Sequence, residues 1–524
     1  MFHNCPDWLR SGFDRQNKPD LFLVLLGSTC GEEYSWADVQ VIGEFRQGIA
    51  SEYLQGLLHL CRYGREVFTS QPTRLFLHGF YIFGSIMELW IFDRSGLYSC
   101  ETFDIHEKPD RLITTIAGYT MMSDDELGIN THIKNDELGK YILLKGDDET
   151  EAKKNYFEDQ PIAFPQRIVS QRHTCYPAKR LASKGCEFVL KFSWRSDDRR
   201  SEEKILRLVK QRNVWGVVQL FSHQQLDSIP NLRQGLRFGV PRKFLPTTSK
   251  ASDTTQSKSE GSSPGGVNKF SVEARPAASA HPSNESNPPF DNLTFCCLAN
   301  YPLGRPLYKF ETILEFLEGC RDAIKGHRSL YQDGKILHQD VSRDNIIILE
   351  TKNEGGPRGI LIDLDLAMEL DVGPQMPGEL IGTRAFVAIG LLERNPHTYR
   401  HDLESFIYVF LWIFICWGHK GLPPMSRLRR WTSGSWKHLA QRKIDDISKE
   451  NFEKITSEFS PKFKDLKGLA EDLRQVLFPQ RDGLLFTGTD DKPEEVDRLY
   501  DGLINAFDVA ASSYAQRGAN AGKI

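Results

Sequence analysis

The sequence predicts an α+β fold, with a two-lobed body preceded by a separate α+β region. Three observations predict it. Short apolar runs of strand length, bounded by turn residues, recur up to residue 300: Leu21–Leu26, Arg74–Phe83, Met87–Phe92 and Leu293–Leu298. Segments with apolar residues at three- and four-residue spacing are interleaved with them and dominate from residue 307 onward. Between strand-like segments lies Thr247 to Pro289, rich in Ser, Thr, Pro, Gly and Ala. It has too few large apolar side chains to offset its ordering entropy, and so reads as a disordered insertion at 247–289.

At 524 residues the chain has room for roughly two to four domains. Apolar content of 40% and charged content of 26% are those of an ordinary globular protein, and a net charge of −4 gives no reason to expect a nucleic-acid or anionic-membrane partner. The 10 cysteines are scattered, with no C-x-x-C pair, which predicts reduced thiols and an intracellular protein of the cytoplasm or nucleus. The apolar run Phe406–Trp417 falls short of the ~20 residues that span a bilayer, and reads as a core helix. No membrane partner is expected.

Residues 1–159 form the first region. After the Leu21 run, Trp36–Gly43 reads as a strand. Gly48–Tyr63 reads as a helix through Ile49, Tyr53, Leu54, Leu57, Leu58 and Cys61, and Asp93-Arg94-Ser95-Gly96 as a turn between strands. Asp20 with Glu44-x-Arg46 imitates the acidic-residue…E-x-K pattern of a metal-dependent nuclease. Arginine cannot carry a proton as lysine can, so a turn followed by a charged strand end is the simpler reading. Met121 to Asp159, with the clusters Asp124-Asp125-Glu126 and Asp147-Asp148-Glu149, reads as a solvated linker helix.

Residues 160–300 form the first lobe. Cys186–Lys191 reads as a strand ending in lysine, and Ser201–Val209 as a helix whose E-x-x-I-L pattern singles out Glu202 over Glu203. A strand lysine paired with a helix glutamate is the arrangement that touches nucleotide phosphates. The turn expected to cover those phosphates, Ile168 to Tyr176, contains no glycine, which hinders close backbone approach. Trp215–Phe221 and Leu293–Leu298 read as further strands, and Asn300–Pro306 as a hinge that would hold an adenine edge.

Residues 301–515 form the second lobe, followed by a disordered tail, 516–524. A helix with Phe310, Ile313, Leu314, Leu317, Cys320, Ile324, His327 and Tyr331 on one face leads to His338-Gln339-Asp340-Val341-Ser342-Arg343-Asp344-Asn345. This has the H-x-D-x-x-x-x-N spacing of a kinase catalytic loop. Asp340 would steer or accept the proton of the attacking hydroxyl, and Asn345 would hold a magnesium ion. Strand Ile346–Leu349, a turn at Glu354-Gly355-Gly356-Pro357, and strand Ile360–Ile362 form a hairpin that returns Asp363 beside Asn345 as the second metal ligand. The later segments Phe463–Leu477 and Arg498–Ser512 read as helices.

With these motifs in hand, the sequence resembles the fungal-type protein kinase family, a divergent branch of the protein-kinase-like fold. The stretches that carry the resemblance are Gly326–Leu330, Ile336–Ser342, Leu361–Ala367, Gly382–Ile389 and His397–Ser405, with Asp93–Gly96 extending it into the first region. The resemblance implies ATP as donor, Mg2+ and a protein serine or threonine as acceptor. Four positions depart from common kinase patterns. Gln339 replaces an arginine that pairs with a phosphorylated loop, which argues against that mode of control. Ser342 replaces a lysine that screens the transferring phosphate. Asp365 replaces a glycine and offers another metal carboxylate, and Gly390 replaces a glutamate that anchors the end of the activation segment by a buried ion pair. The alternatives are a pseudokinase scaffold, favoured by the glycine-poor turn, and a small-molecule kinase of the same fold, suggested by Ser342 and Asp363-Leu364-Asp365.

Overall fold

The computed structural model describes residues 2–4, 21–24, 35–146, 149–164, 173–197, 200–239, 242, 291–350, 355–373 and 380–516. Asp20, most of the glycine-poor turn, the insertion at 247–289, Glu354 and the tail from 517 lie outside the described residues. The fold is mixed α+β, as the sequence predicts.

The first region is a seven-stranded sheet. Six strands follow the path Phe2–Asn4, Leu21–Val24, Val39–Arg46, Phe76–Phe83, Ile86–Asp93, Gly96–Ser99, and Phe103–Asp104 also pairs with Ile86–Asp93. Val39–Arg46 and Phe76–Phe83 are parallel. A parallel pair needs a long crossover, which the helix Tyr53–Ser70 supplies. The predicted periodicity continues past Tyr63: Leu57, Leu60, Tyr63, Val67 and Phe68 are buried with Val39, Ile42, Leu77, Tyr81 and Phe92. The helix therefore sits about five residues C-terminal to the 48–63 expected.

A second sheet runs Gln219–Ser228, Leu293–Tyr301, Phe188–Ser196, His173–Arg180, Lys153–Phe157, Gly139–Leu144, Ile133–Asp136, every neighbour antiparallel. Its last three strands overturn the linker helix expected over 121–159. Ile142, Leu144, Tyr156 and Phe157 turn inward, while the acidic cluster Asp124–Glu126 sits in a turn ahead of them. A division at 159/160 consequently cuts through one continuous sheet. Leu75 of the first region is buried in the same cluster as Leu144, Phe157, Phe192 and Phe295. Arg233 adds a bidentate pair to Asp93, 2.8 Å on each arm, with both side chains almost fully buried.

Beneath the second sheet, the helix Glu202–Gln211 buries Ile205, Leu206 and Val209 in the largest core. That core continues through the helices Ile313–Gln332, Tyr399–Cys416, Lys467–Leu477 and Pro493–Gln516. The apolar run from Phe406 is a core helix, buried along almost its whole length. No helix among the described residues is long and apolar enough to cross a membrane. The described cysteines are all free. Gly216, at φ +73°, sits so close to Gly326 that a Cβ on it would lie 2.7 Å from the Gly326 Cα. This contact sets the approach to Ile313–Gln332, next to the parallel bridge Val217–Leu361.

Candidate active site

Lys191 lies inside its strand, Phe188–Ser196, rather than at the strand's end, because alternation of Leu190, Phe192 and Trp194 into the core carries the strand onward. Its side chain is 4% exposed, and its ammonium group donates to Glu202 at 2.6 Å, Asp363 at 2.7 Å and Asp365 at 2.9 Å. Three N–H donors thus meet three carboxylates. Glu202 opens its helix, whose N-cap Ser201 accepts from the Lys204 amide. Its other oxygen accepts from the Leu364 amide at 3.0 Å, so one side chain fixes both the lysine and the residue after Asp363. Glu203 faces outward to Arg207.

The cluster has a surplus of negative charge. Burial, then the charge of Asp365, pushes the Glu202 carboxyl up to about 8. Burial alone would lower the Lys191 pKa, but Asp363, Asp365 and Glu202 hold it well above its usual value. Burial opposes ionisation of Asp363 too, yet Lys191 and His173 keep that carboxyl below the usual range. A site with more carboxylate than cation fits a divalent metal ion, and oxygen donors suit magnesium. His173 approaches the same two aspartates, Nε2 at 3.7 Å from Asp363 and Nδ1 at 3.8 Å from Asp365. The His173, Asp363 and Asp365 donor atoms lie within 4.8 Å of one another.

The hairpin expected around Asn345 and Asp363 is formed by Ile346–Ile348 and Gly359–Leu361, and the Ile362 amide donates to the Asn345 carbonyl at 3.0 Å. Asn345 donates through Nδ2 to the Asp340 carbonyl at 2.9 Å and, at 3.4 Å, to Asp340 Oδ2. Asp340 Oδ1 accepts from both the amide and the hydroxyl of Thr383, each at 2.7 Å. Burial raises the Asp340 carboxyl, and the Thr383 hydroxyl offsets part of the rise. Gln339 and Asp363 flank this geometry at φ +64° and +66°, backbone values that non-glycine residues rarely hold without surrounding support.

For Gln339 that support comes from Asp402. Its Oδ2 accepts from the amides of His338 and Gln339, at 3.0 and 3.3 Å, and contacts His327 Nε2 at 3.0 Å; its Oδ1 contacts His397 at 2.8 Å. Asp402 lies in the His397–Ser405 stretch that carries the family resemblance. The two histidines are a finding of the structure. His338 Nδ1 accepts from the Asp340 amide and its Nε2 faces the Ile362 carbonyl, which assigns the proton to Nε2. Burial keeps its pKa below the ordinary histidine value.

The glutamate absent at Gly390 is replaced from elsewhere. A Cβ at Gly390 would lie 2.4 Å from His401 Nε2. Glu404 instead accepts from the Ile389 amide and the Tyr408 hydroxyl, both at 2.6 Å, and pairs with Arg400 at 2.9 Å. Lys443 donates to the carbonyls of Ala385 and Val387, at 2.9 and 2.6 Å. Neither Glu404 nor Arg400 is left without a partner.

His173 was in view only as a member of the Ile168–Tyr176 turn and Thr383 only as a member of Gly382–Ile389; neither was given a role of its own. In the first region, Glu44 is fully buried between Arg46 at 2.5 Å and His59 at 3.3 Å, an ion-paired sheet residue. No curated protein matches the chain. The fungal protein kinase family model matches residues 18–414, most of its length, and the chain belongs to that family.

Proposed function

We propose that the chain transfers the γ-phosphoryl group of ATP to serine or threonine hydroxyls of a protein substrate, with Asp340 as base and Asn345 and Asp363 as magnesium ligands. Family membership supplies the general class, phosphoryl transfer with ATP and a divalent metal. The residue roles rest on one observation: Lys191, Glu202 and Asp363, distant in sequence, meet in one buried hydrogen-bonded cluster beside the loop carrying Asp340. Glu202 sets the lysine toward the phosphates. Thr383 occupies Asp340 Oδ1 twice, so Oδ2, with a single long bond from Asn345, is the oxygen that would receive the acceptor's proton. A magnesium ion held by Asp363 and Asn345 would neutralise charge on the phosphates.

A scaffold with weak or no catalysis is the second reading, and one observation favours it: Lys191 spends all three donors on carboxylates. Magnesium-dependent autophosphorylation or ATP turnover, measured beside Asp363→Ala, decides between them. The proposal expects a loss on the order of 100-fold or more in the variant; equal signals from both proteins would sink it. Peptides offered against sugars and amino alcohols then separate a protein acceptor from a small-molecule one.

A further inference from the structure

In many kinases, a phosphate on the activation segment pairs with arginine to hold the active arrangement. Here, the residues from Leu364 to Gly382 contain no serine, threonine or tyrosine, so nothing in that stretch accepts a phosphate on a hydroxyl. The next hydroxyl, Thr383, is committed to Asp340. The loop arginine is also missing, and Gln339 faces the Met368 sulfur instead.

The same stretch carries a fixed negative charge. Glu369, 9% exposed, sits in the short strand Met368–Glu369, paired with Ile336–Leu337 immediately ahead of the catalytic loop. Two arginines converge on it from opposite ends of the helix that bears Glu202. Arg200, just before the helix, donates to Glu369 Oε2, and Arg212, its C-cap, donates to Oε1 at 3.1 Å. Arg212 also donates to the Gly334 carbonyl at the stem of the catalytic loop. One carboxylate therefore ties both ends of the helix to the segment that follows Asp365.

We propose that Glu369 is a positioning residue that takes the place of a phosphorylated activation segment. By gripping Arg200 and Arg212 it holds Glu202 against Lys191 and the Leu364 amide, so the site is assembled without a prior phosphorylation of that segment. The inference deepens the kinase reading and rests on it for its effect on rate, but the helix position can be measured without any activity.

Hydrogen exchange on the full chain reads the clamp directly. Glu369→Gln is expected to speed exchange across Glu202–Gln211 and at Leu364 by about tenfold or more, the scale of a lost charge-assisted bond. Arg207→Gln, on the outer side of the same helix, is expected to leave it unchanged. In turnover assays, Glu369→Gln should lower kcat by on the order of 10-fold or more with little change in KM for ATP. Adding Arg200→Gln to it should cost little more, since both remove the same arm. Phosphatase treatment of the wild-type chain should leave kcat unaltered. If Glu369→Gln fails to fold, Arg200→Gln removes one arm and should shift exchange in the same direction. Unchanged exchange in these variants, or a wild-type kcat that falls with dephosphorylation of the segment's flanks, overturns the proposal. A wild-type chain that turns over no ATP defeats the kinase reading, while the exchange result still decides the clamp.

Discussion

Among the buried charge clusters of the described residues, those around Lys191 and Glu404 are balanced differently. Around Lys191, one ammonium faces three carboxylates. Around Glu404, one carboxylate faces Arg400, the Tyr408 hydroxyl and the Ile389 amide, and nearby Lys443 is satisfied by two backbone carbonyls and the ring of Tyr408, 3.9 Å away. The second cluster is closed: each polar group named has a partner, and its work is to fasten Ala385–Ile389 to the helical body. The first carries surplus negative charge, which a proton on Glu202 or a further cation can offset. Unbalanced burial is costly, and it is kept where chemistry uses it.

Breaking each cluster should have a different signature. The largest effect is expected for Lys191→Met: phosphoryl transfer falls by on the order of 100-fold or more while the chain stays folded, checked by turnover and circular dichroism. Glu404→Gln should instead act on stability. It takes the carboxylate from Arg400, which keeps the Leu477 and Phe486 carbonyls, and loosens Ile389, for a loss of about 3–5 kcal/mol in denaturant titration. Asp365→Asn sharpens the contrast, because it removes one competitor for Lys191. Glu202 should then titrate lower, thermal stability at neutral pH should hold or rise, and divalent-ion binding measured by calorimetry should weaken.

The smallest effects, and the most diagnostic, are in the pH dependence. Glu202 has its carboxyl raised to about 8 in the folded chain, from burial and Asp365. The folded state then holds a proton that the unfolded state releases, so this contribution is full below the ordinary carboxyl pKa and is lost as pH rises toward 8. Lys443 has its pKa lowered to about 7, by burial first. There the unfolded state binds the proton, so stability rises with pH from 7 toward the ordinary lysine value. Glu202→Gln should flatten the first slope and Lys443→Met the second, measured as unfolding free energy against pH. Slopes unchanged in both variants would remove the distinction between the clusters.

The parts of this architecture that were legible in the sequence are the local ones. His338 to Asn345 and the hairpin to Asp363 span few residues, and turn chemistry with apolar alternation fixes them. Glu202 could be told from Glu203 because helical spacing against Ile205 and Leu206 decides which one faces inward. The strands at 133–157 were misread because acidic turns dominate their composition and hide a short alternation, Tyr141-Ile142-Leu143-Leu144. His173, Thr383, Glu404 and Lys443 were not legible as partners. Each acts on residues brought near only by the packed fold, and a lone histidine or lysine in a sequence carries no mark of its neighbour.

The salt bridge between Asp93 and Arg233, with Leu75 seated among the aromatic residues of the second sheet, has a practical consequence. A kinase fragment trimmed to begin at residue 160 would lose three strands from the sheet that carries Lys191, leave a buried guanidinium facing water, and open a hole where Leu75 sits. The smallest piece that folds is therefore larger than the piece that bears the motifs. In this chain the first region behaves as part of the enzyme's chassis, and expression trials that discard it should yield insoluble protein whatever the state of the catalytic loop.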